Sequence, residues 1–359
     1  MKSRIITKAL LAAALFLTAD APAQARQTVY LVKDNHVVGK HYTDDIDYMT
    51  HALPEGVTDN LPDPERGATL ILGGSDKVMV VNTLGMADGC DGTPYITRQW
   101  NARGMAGTLG LTYDDMDHID DCKPLDNGNI LVTSSYGWAV MLDSELTPVF
   151  HTKGTTNAHS AEMVDGRWIA VACSTGGDEI RLYDSRRNGL LKFRTELKSA
   201  HGVVWMESTR RLYAIGGSTL NIYSLNYRKR PDGTVNENAP ELVLEKSVTT
   251  PQGSLHDLTP VDDHTLCVSG RKSRLFDIND ETFTEIPLFD KSTGLKSVNY
   301  NRSRNEVWYT DSTVPEGDYS WSTHTIRYSD DPYGTLTPTF TFRIPGVNLY
   351  KVRVLDWGH

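Results

Sequence analysis

Three histidines, His159, His201 and His256, open near-repeats of one phrase: Asn157-Ala158-His159-Ser160, Ala200-His201-Gly202-Val203 and Leu255-His256-Asp257-Leu258. A neutral imidazole is a good ligand for borderline divalent metals. Three of them, completed by a carboxylate or water, suit Zn, Mn, Fe or Ni, whereas Ca prefers oxygen throughout. His159, His201 and His256 are therefore the expected metal ligands. The same register elsewhere holds Asp120 or Asp121, Lys296 and Lys351, and Asp257 follows His256 directly. Asp120, Asp121 and Asp257 are expected to bind substrate. Lys296 or His118 would act as general base, and Lys351 would neutralise charge that develops on the substrate. Two ammonium groups beside a metal make sense when an anion lies between them, or when they pair with Asp120, Asp121 and Asp257 across a channel. The competing reading of the histidines is a shared hydrogen-bonding solution with no ligand.

What must bring these residues together is a repeat of about 40 residues. Each opening is followed by an apolar strand (130–133, 169–173, 212–215, 266–268) and then a second one (139–143, 180–184, 220–225, 274–278). Short strands repeating at this period are the signature of an all-β propeller. Its first strands line the axis, so equivalent residues from successive blades meet there. The openings fall near Asp120, His159, His201, His256, Lys296 and Lys351, at steps of 39, 42, 55, 40 and 55 residues. The long steps contain 226–238 and 314–321, both turn-rich and read as surface loops. The last opening lacks its following strands. Those strands occur at the other end of the chain (69–72 and 77–82), so one blade should be shared by the two termini. Six blades result; seven is the alternative if 29–42 adds to another. The stretch 42–67 reads as an N-terminal excursion over one face, within a single domain spanning 26–359.

Residues 1–25 have a basic start, an apolar middle and Ala23-Gln24-Ala25, the pattern of a cleaved signal peptide, which implies a periplasmic or secreted protein. The leader carries three bases (Lys2, Arg4, Lys8) and one acid (Asp20). The whole-chain charge of −10 thus becomes −12, which disfavours nucleic acid or an anionic membrane as partner. A monomer binding an oligosaccharide or other small anion is expected. Cys173 and Cys267 fall mid-strand and read as small buried apolar residues, while a Cys90–Cys122 disulfide is left open by the sequence. Tyr136 and Trp138 occupy a turn where stacking on a ligand is conceivable, although packing is the simpler role. Trp205 and Trp308 read as core between blades. Arg271 and Lys272 are expected in a turn on the side away from the axial openings.

The phrases around His159, His201 and His256, with Leu295-Lys296-Ser297, resemble those of an uncharacterised family of secreted bacterial six-bladed propellers. That resemblance implies the fold and a glycan-degradation setting. A looser likeness, of architecture and three histidines, is to oligogalacturonate lyase-type propellers. It implies a metal-dependent lyase acting on uronic-acid-containing oligosaccharides. The alternatives are a non-catalytic glycan- or protein-binding propeller and a glycoside hydrolase.

Overall fold

The computed structural model describes residues 28–33, 36–42, 67–314 and 316–355. The leader, and nearly all of the excursion, lie outside them. Thr28–Lys33 and His36–Tyr42 pair antiparallel as a hairpin that forms a unit of its own. They do not join a blade.

The rest is a ring of six antiparallel sheets, a six-bladed β-propeller. The inner strands are Leu349–Val354, Ile119–Pro124, Ala158–Val164, Ala200–Met206, Asp257–Asp262 and Leu295–Asn301, for blades one to six in that order. In blade one the C-terminal inner strand pairs with Thr69–Gly74, followed outward by Lys77–Asn82 and Ile96–Asn101. The termini therefore close the ring as the repeat required, leaving no open sheet edge between first and last blades. A second tie crosses the same seam: Cys90–Asp91, from blade one's own chain segment, pairs in parallel with the outer strand Phe340–Arg343 of blade six.

Strands alternate so that apolar side chains of facing sheets interdigitate. At the seam, Leu70, Leu72 and Met79 pack with Trp308, Phe342 and Val352. In blades one, four and five a glycine at the end of the second strand lets the chain entering the inner strand lie flush. A Cβ on Gly74, Gly216 or Gly270 would meet the carbonyl oxygen of Asn348, Lys198 or Ser254 at 2.5 Å.

Two of the expected surface insertions fare differently. Within the 314–321 stretch, the described residues 314 and 316–321 lie outside strands, between blade six's second and third strands. The 226–238 stretch is instead mostly strand. Thr219–Lys229 and Val235–Thr249 continue their pairing past the blade as a long hairpin, turned at Pro231–Gly233. Cross-strand pairing absorbed a polar stretch whose composition reads as loop. Trp308 is core, but Trp205 is only half-buried, lining a cavity of about 350 Å³ at the far end of the axis with Lys123, Glu162 and Met163. Cys122, Cys173 and Cys267 are buried free thiols and Cys90 is a half-buried one, so no Cys90–Cys122 bond forms.

Candidate functional site

Blades two to five deliver their ring residue by the same local device. Two residues earlier the backbone is left-handed at His118, Asn157, Ser199 and Ser254, with φ of 57°, 52°, 52° and 55°. This conformation is uncommon outside glycine and turns the chain sharply into the inner strand. In all but blade five the ring residue then bulges out of the register between first and second strands, at Ile119/Asp121, Ala158/Ser160, Ala200/Gly202, Leu295/Ser297 and Leu349/Lys351. The bulge aims its side chain at the axial mouth. The ring is thus Asp120, His159, His201, His256, Lys296 and Tyr350. The sequence alignment placed Lys351 there, one residue too late.

The ring residues touch. The imidazoles of His159 and His201 lie 4.4 Å apart between centroids, and those of His201 and His256 5.1 Å. Tyr350 stacks on His159 at 5.6 Å. His201 Nδ1 lies 2.8 Å from the Ser199 carbonyl, which fixes the proton on Nδ1 and leaves Nε2 as acceptor. His256 is engaged at both nitrogens, with Lys296 Nζ 3.3 Å from Nε2 and Tyr350 Oη 3.3 Å from Nδ1. An ammonium only donates, so Nε2 accepts and Nδ1–H donates to Tyr350. His159 Nδ1 lies 3.0 Å from Asp120 Oδ1, off the line that a good N–H bond needs. The other carboxylate oxygen of Asp120 accepts from the Ser135 amide and hydroxyl.

Burial controls the charge states. Desolvation, followed by the neighbouring imidazoles His159 and His256 at His201 and by the Lys296 ammonium at His256, holds both well below the usual imidazole range, so both are neutral near pH 7. Desolvation also pulls the Lys296 ammonium down to about 8 against the pull of Asp311 and Asp120, and pushes the Tyr350 phenol well above its ordinary value.

Directly beneath the ring the channel is plugged. Lys351 and Asp121 are fully buried and Asp257 nearly so. Arg353 makes paired hydrogen bonds of 2.7–2.8 Å to both carboxylates. Lys351 Nζ lies 3.1 Å from Asp257 and donates to the carbonyls of His159 and His201. Burial penalises both carboxylates, but Arg353 and Lys351 outweigh it and hold them below the usual range. Asp121, Asp257 and Lys351 thus serve the plug, the across-channel pairing that the sequence left open. Asp120 stays at the mouth. Arg353 was missed; its signal was the alternation of Lys351 and Arg353 on a strand facing two aspartates. A further rung follows, where Lys123 Nζ donates to the Val203 carbonyl and lies 3.1 Å from Glu162.

His118 is not in the ring. It sits at the rim among Tyr136, Tyr319 and Trp321, at ring separations of 4.5, 5.2 and 5.3 Å. Tyr319 and Trp321 stack on each other, and Trp321 reaches Tyr350 at 5.9 Å. Trp138 is core, its indole donating to the Asp115 carbonyl. The Arg271–Lys272 turn lies on the ring's side rather than the far side, because the second strand runs antiparallel to the inner one and ends beside it, at Ser269 opposite His256.

The three histidines converge as a cluster but do not form a ready metal set. No group of three His, Cys, Asp or Glu side chains arranged to hold a metal ion occurs among the described residues. His201 keeps Nε2 free, but both nitrogens of His256 are engaged and one of them faces an ammonium, so the donor set in this arrangement does not fit a three-imidazole metal.

No protein-family model matches the chain, and no curated protein does. Among solved structures, it is similar to a protein of unknown function from Bacteroides caccae, with a TM-score of 0.54 at 10% identity, covering 81% of this chain and 99% of that one. Weaker overlaps are with the WD40 propeller of Doa1 (TM-score 0.49, 9% identity, 69% of this chain and 73% of that one) and with the dihydro-heme d1 dehydrogenase NirN (0.42, 14%, 82% and 57%). At these identities the likeness concerns fold alone, and the chain is a six-bladed β-propeller by its own sheets.

Proposed function

We propose that the axial ring is an acid–base site for an acidic oligosaccharide, in a protein exported by its N-terminal leader, and that the reaction is elimination at a uronate unit. The observation that carries this reading is the hydrogen-bonded run Lys296–His256–Tyr350 beside the Asp120–His159 pair. Each step of elimination finds a group. Lys296, protonated below about pH 8, pairs with the substrate carboxylate and stabilises the charge that spreads into it. His159, oriented by Asp120, takes the proton α to that carboxylate through Nε2. The C–H electron pair becomes the C=C bond, and the C–O bond to the neighbouring sugar breaks. The leaving oxygen takes the Tyr350 proton, which returns through His256. A hydrolase is less well served: it needs two carboxylates flanking the bond, and Asp121 and Asp257 are locked to Arg353.

The test is a panel of uronate oligosaccharides, followed by the ultraviolet absorbance of unsaturated product. Lys296→Met and His159→Ala should each lower the rate about 100-fold or more. Binding without product would favour the second reading, a glycan-binding module. That reading has its own support, since the ring side chains satisfy one another and Lys296 and Tyr350 are only 6% and 4% exposed. Neither binding nor product overturns both. About one divalent metal per purified chain, lost in His201→Ala, would return the three imidazoles to a metal-holding role.

A further inference from the structure

Tyr136 and Tyr319 are 49% and 42% exposed, yet each packs against His118. They come from opposite sides of the blade-one seam. Tyr136 lies in the turn between the second and third strands of blade two, where Gly137 (φ 89°) makes the bend. Tyr319 lies in the blade-six insertion. That insertion is tied down: the Ser322 amide donates to the Tyr319 carbonyl, and the Ser322 hydroxyl and the Asp318 amide both reach Asn348 Oδ1. Behind them an unbroken aromatic run leads inward, from Tyr319 to Trp321 at 4.9 Å, Tyr350 at 5.9 Å and His159 at 5.6 Å. Tyr136 thus rests on His118, and Tyr319 on His118 and Trp321, while close to half of each tyrosine stays open to water, an aromatic surface with an apolar face and a polar edge. The C–H face of a pyranose is the surface they fit, being apolar across its width and polar at its edge.

We propose that Tyr136 and Tyr319 form a stacking subsite for a further sugar ring, one unit away from the unit held at Lys296, so that the site selects oligosaccharides over monosaccharides. The identity of the acidic unit rests on the proposed function; the shelf itself recognises a sugar face of any charge. Calorimetric titration of the full chain with mono-, di-, tri- and tetrasaccharides of galacturonic acid, and of neutral galactose, tests it. The expected result is a gain in affinity of about 3- to 10-fold on passing from mono- to disaccharide or trisaccharide. The Tyr136→Ala/Tyr319→Ala variant should lose that gain while its monosaccharide affinity stays within about twofold. Its melting temperature checks the fold. Uronate binding with no length gain, or a gain untouched by the double variant, overturns the shelf and leaves the acid–base reading standing. A tyrosine-dependent gain in the neutral series alone keeps the shelf and overturns the uronate reading. No binding in either series overturns both.

Discussion

Replacing Arg353 with Met should be the most destabilising single change in the axial plug. Its guanidinium is 3% exposed and bonded to two carboxylates at once. Removing it leaves Asp121, Asp257 and Lys351 together, a buried net charge of minus one. Breaking a buried pair costs about 3–5 kcal/mol. Lys351 keeps one carboxylate paired, so the middle of that range, about 4 kcal/mol, is expected. For a ring running from residue 67 to 355, with an unfolding entropy of about 2.1 cal/mol/K per residue, that corresponds to a melting temperature lower by about 7 °C. The pH dependence has a definite sign. In the native protein the folded pKa values of Asp121 and Asp257 are depressed. Their contribution is therefore present above the unfolded value of about 3.9 and lost as pH falls through the folded values. In the variant desolvation dominates, the folded pKa of one carboxylate rises above its unfolded value, and stability is lost as pH rises. The gap between the two proteins is then widest near neutrality and narrows towards about pH 4. Urea unfolding across that range measures it. A loss under about 1 kcal/mol, or a gap independent of pH, would refute the assignment of the plug as an ion-pair network. The variant in which Asp121→Asn alone accompanies Arg353→Met should recover most of the loss, because the remaining carboxylate, Asp257, stays paired with Lys351 at 3.1 Å.

Lys296 titrates at about 8, so affinity for a uronate should be level below that pH and fall above it, as calorimetry across pH would show. Its folded pKa lies below its unfolded one, so it destabilises the fold fully below about 8 and progressively less up to about 10.5. Lys296→Met should therefore stabilise by about 1–3 kcal/mol at neutral pH and do nothing at the alkaline end. Thiol titration of the native protein should find Cys90 alone reactive, because Cys122, Cys173 and Cys267 are shut off from solvent while Cys90 is half-buried; four thiols should appear after unfolding without reductant, and two would reveal the Cys90–Cys122 disulfide. Gly216→Ala should cost about 1–3 kcal/mol, since the new Cβ meets the Lys198 carbonyl, which is backbone and cannot rotate away.

The sequence by itself determined the propeller, its six blades, the closure by the termini and the meeting of three histidines at the axis. The physical reason is that a repeat fixes equivalent positions, and a ring brings equivalent positions to one place. It also identified Lys296 as a ring member and narrowed the second blade's position to Asp120 or Asp121. Tertiary structure decided the rest. A one-residue bulge puts Tyr350 in the ring and drops Lys351 below it, and residue spacing carries no trace of that shift. Whether Asp121 and Asp257 face solvent or a guanidinium depends on Arg353, more than 90 positions away from the nearer of them in the chain. The rim at Tyr136, His118, Tyr319 and Trp321 joins residues from two blades with no repeat between them. Periodicity reveals what each blade repeats; only the folded ring shows what unlike residues from different blades do when they touch.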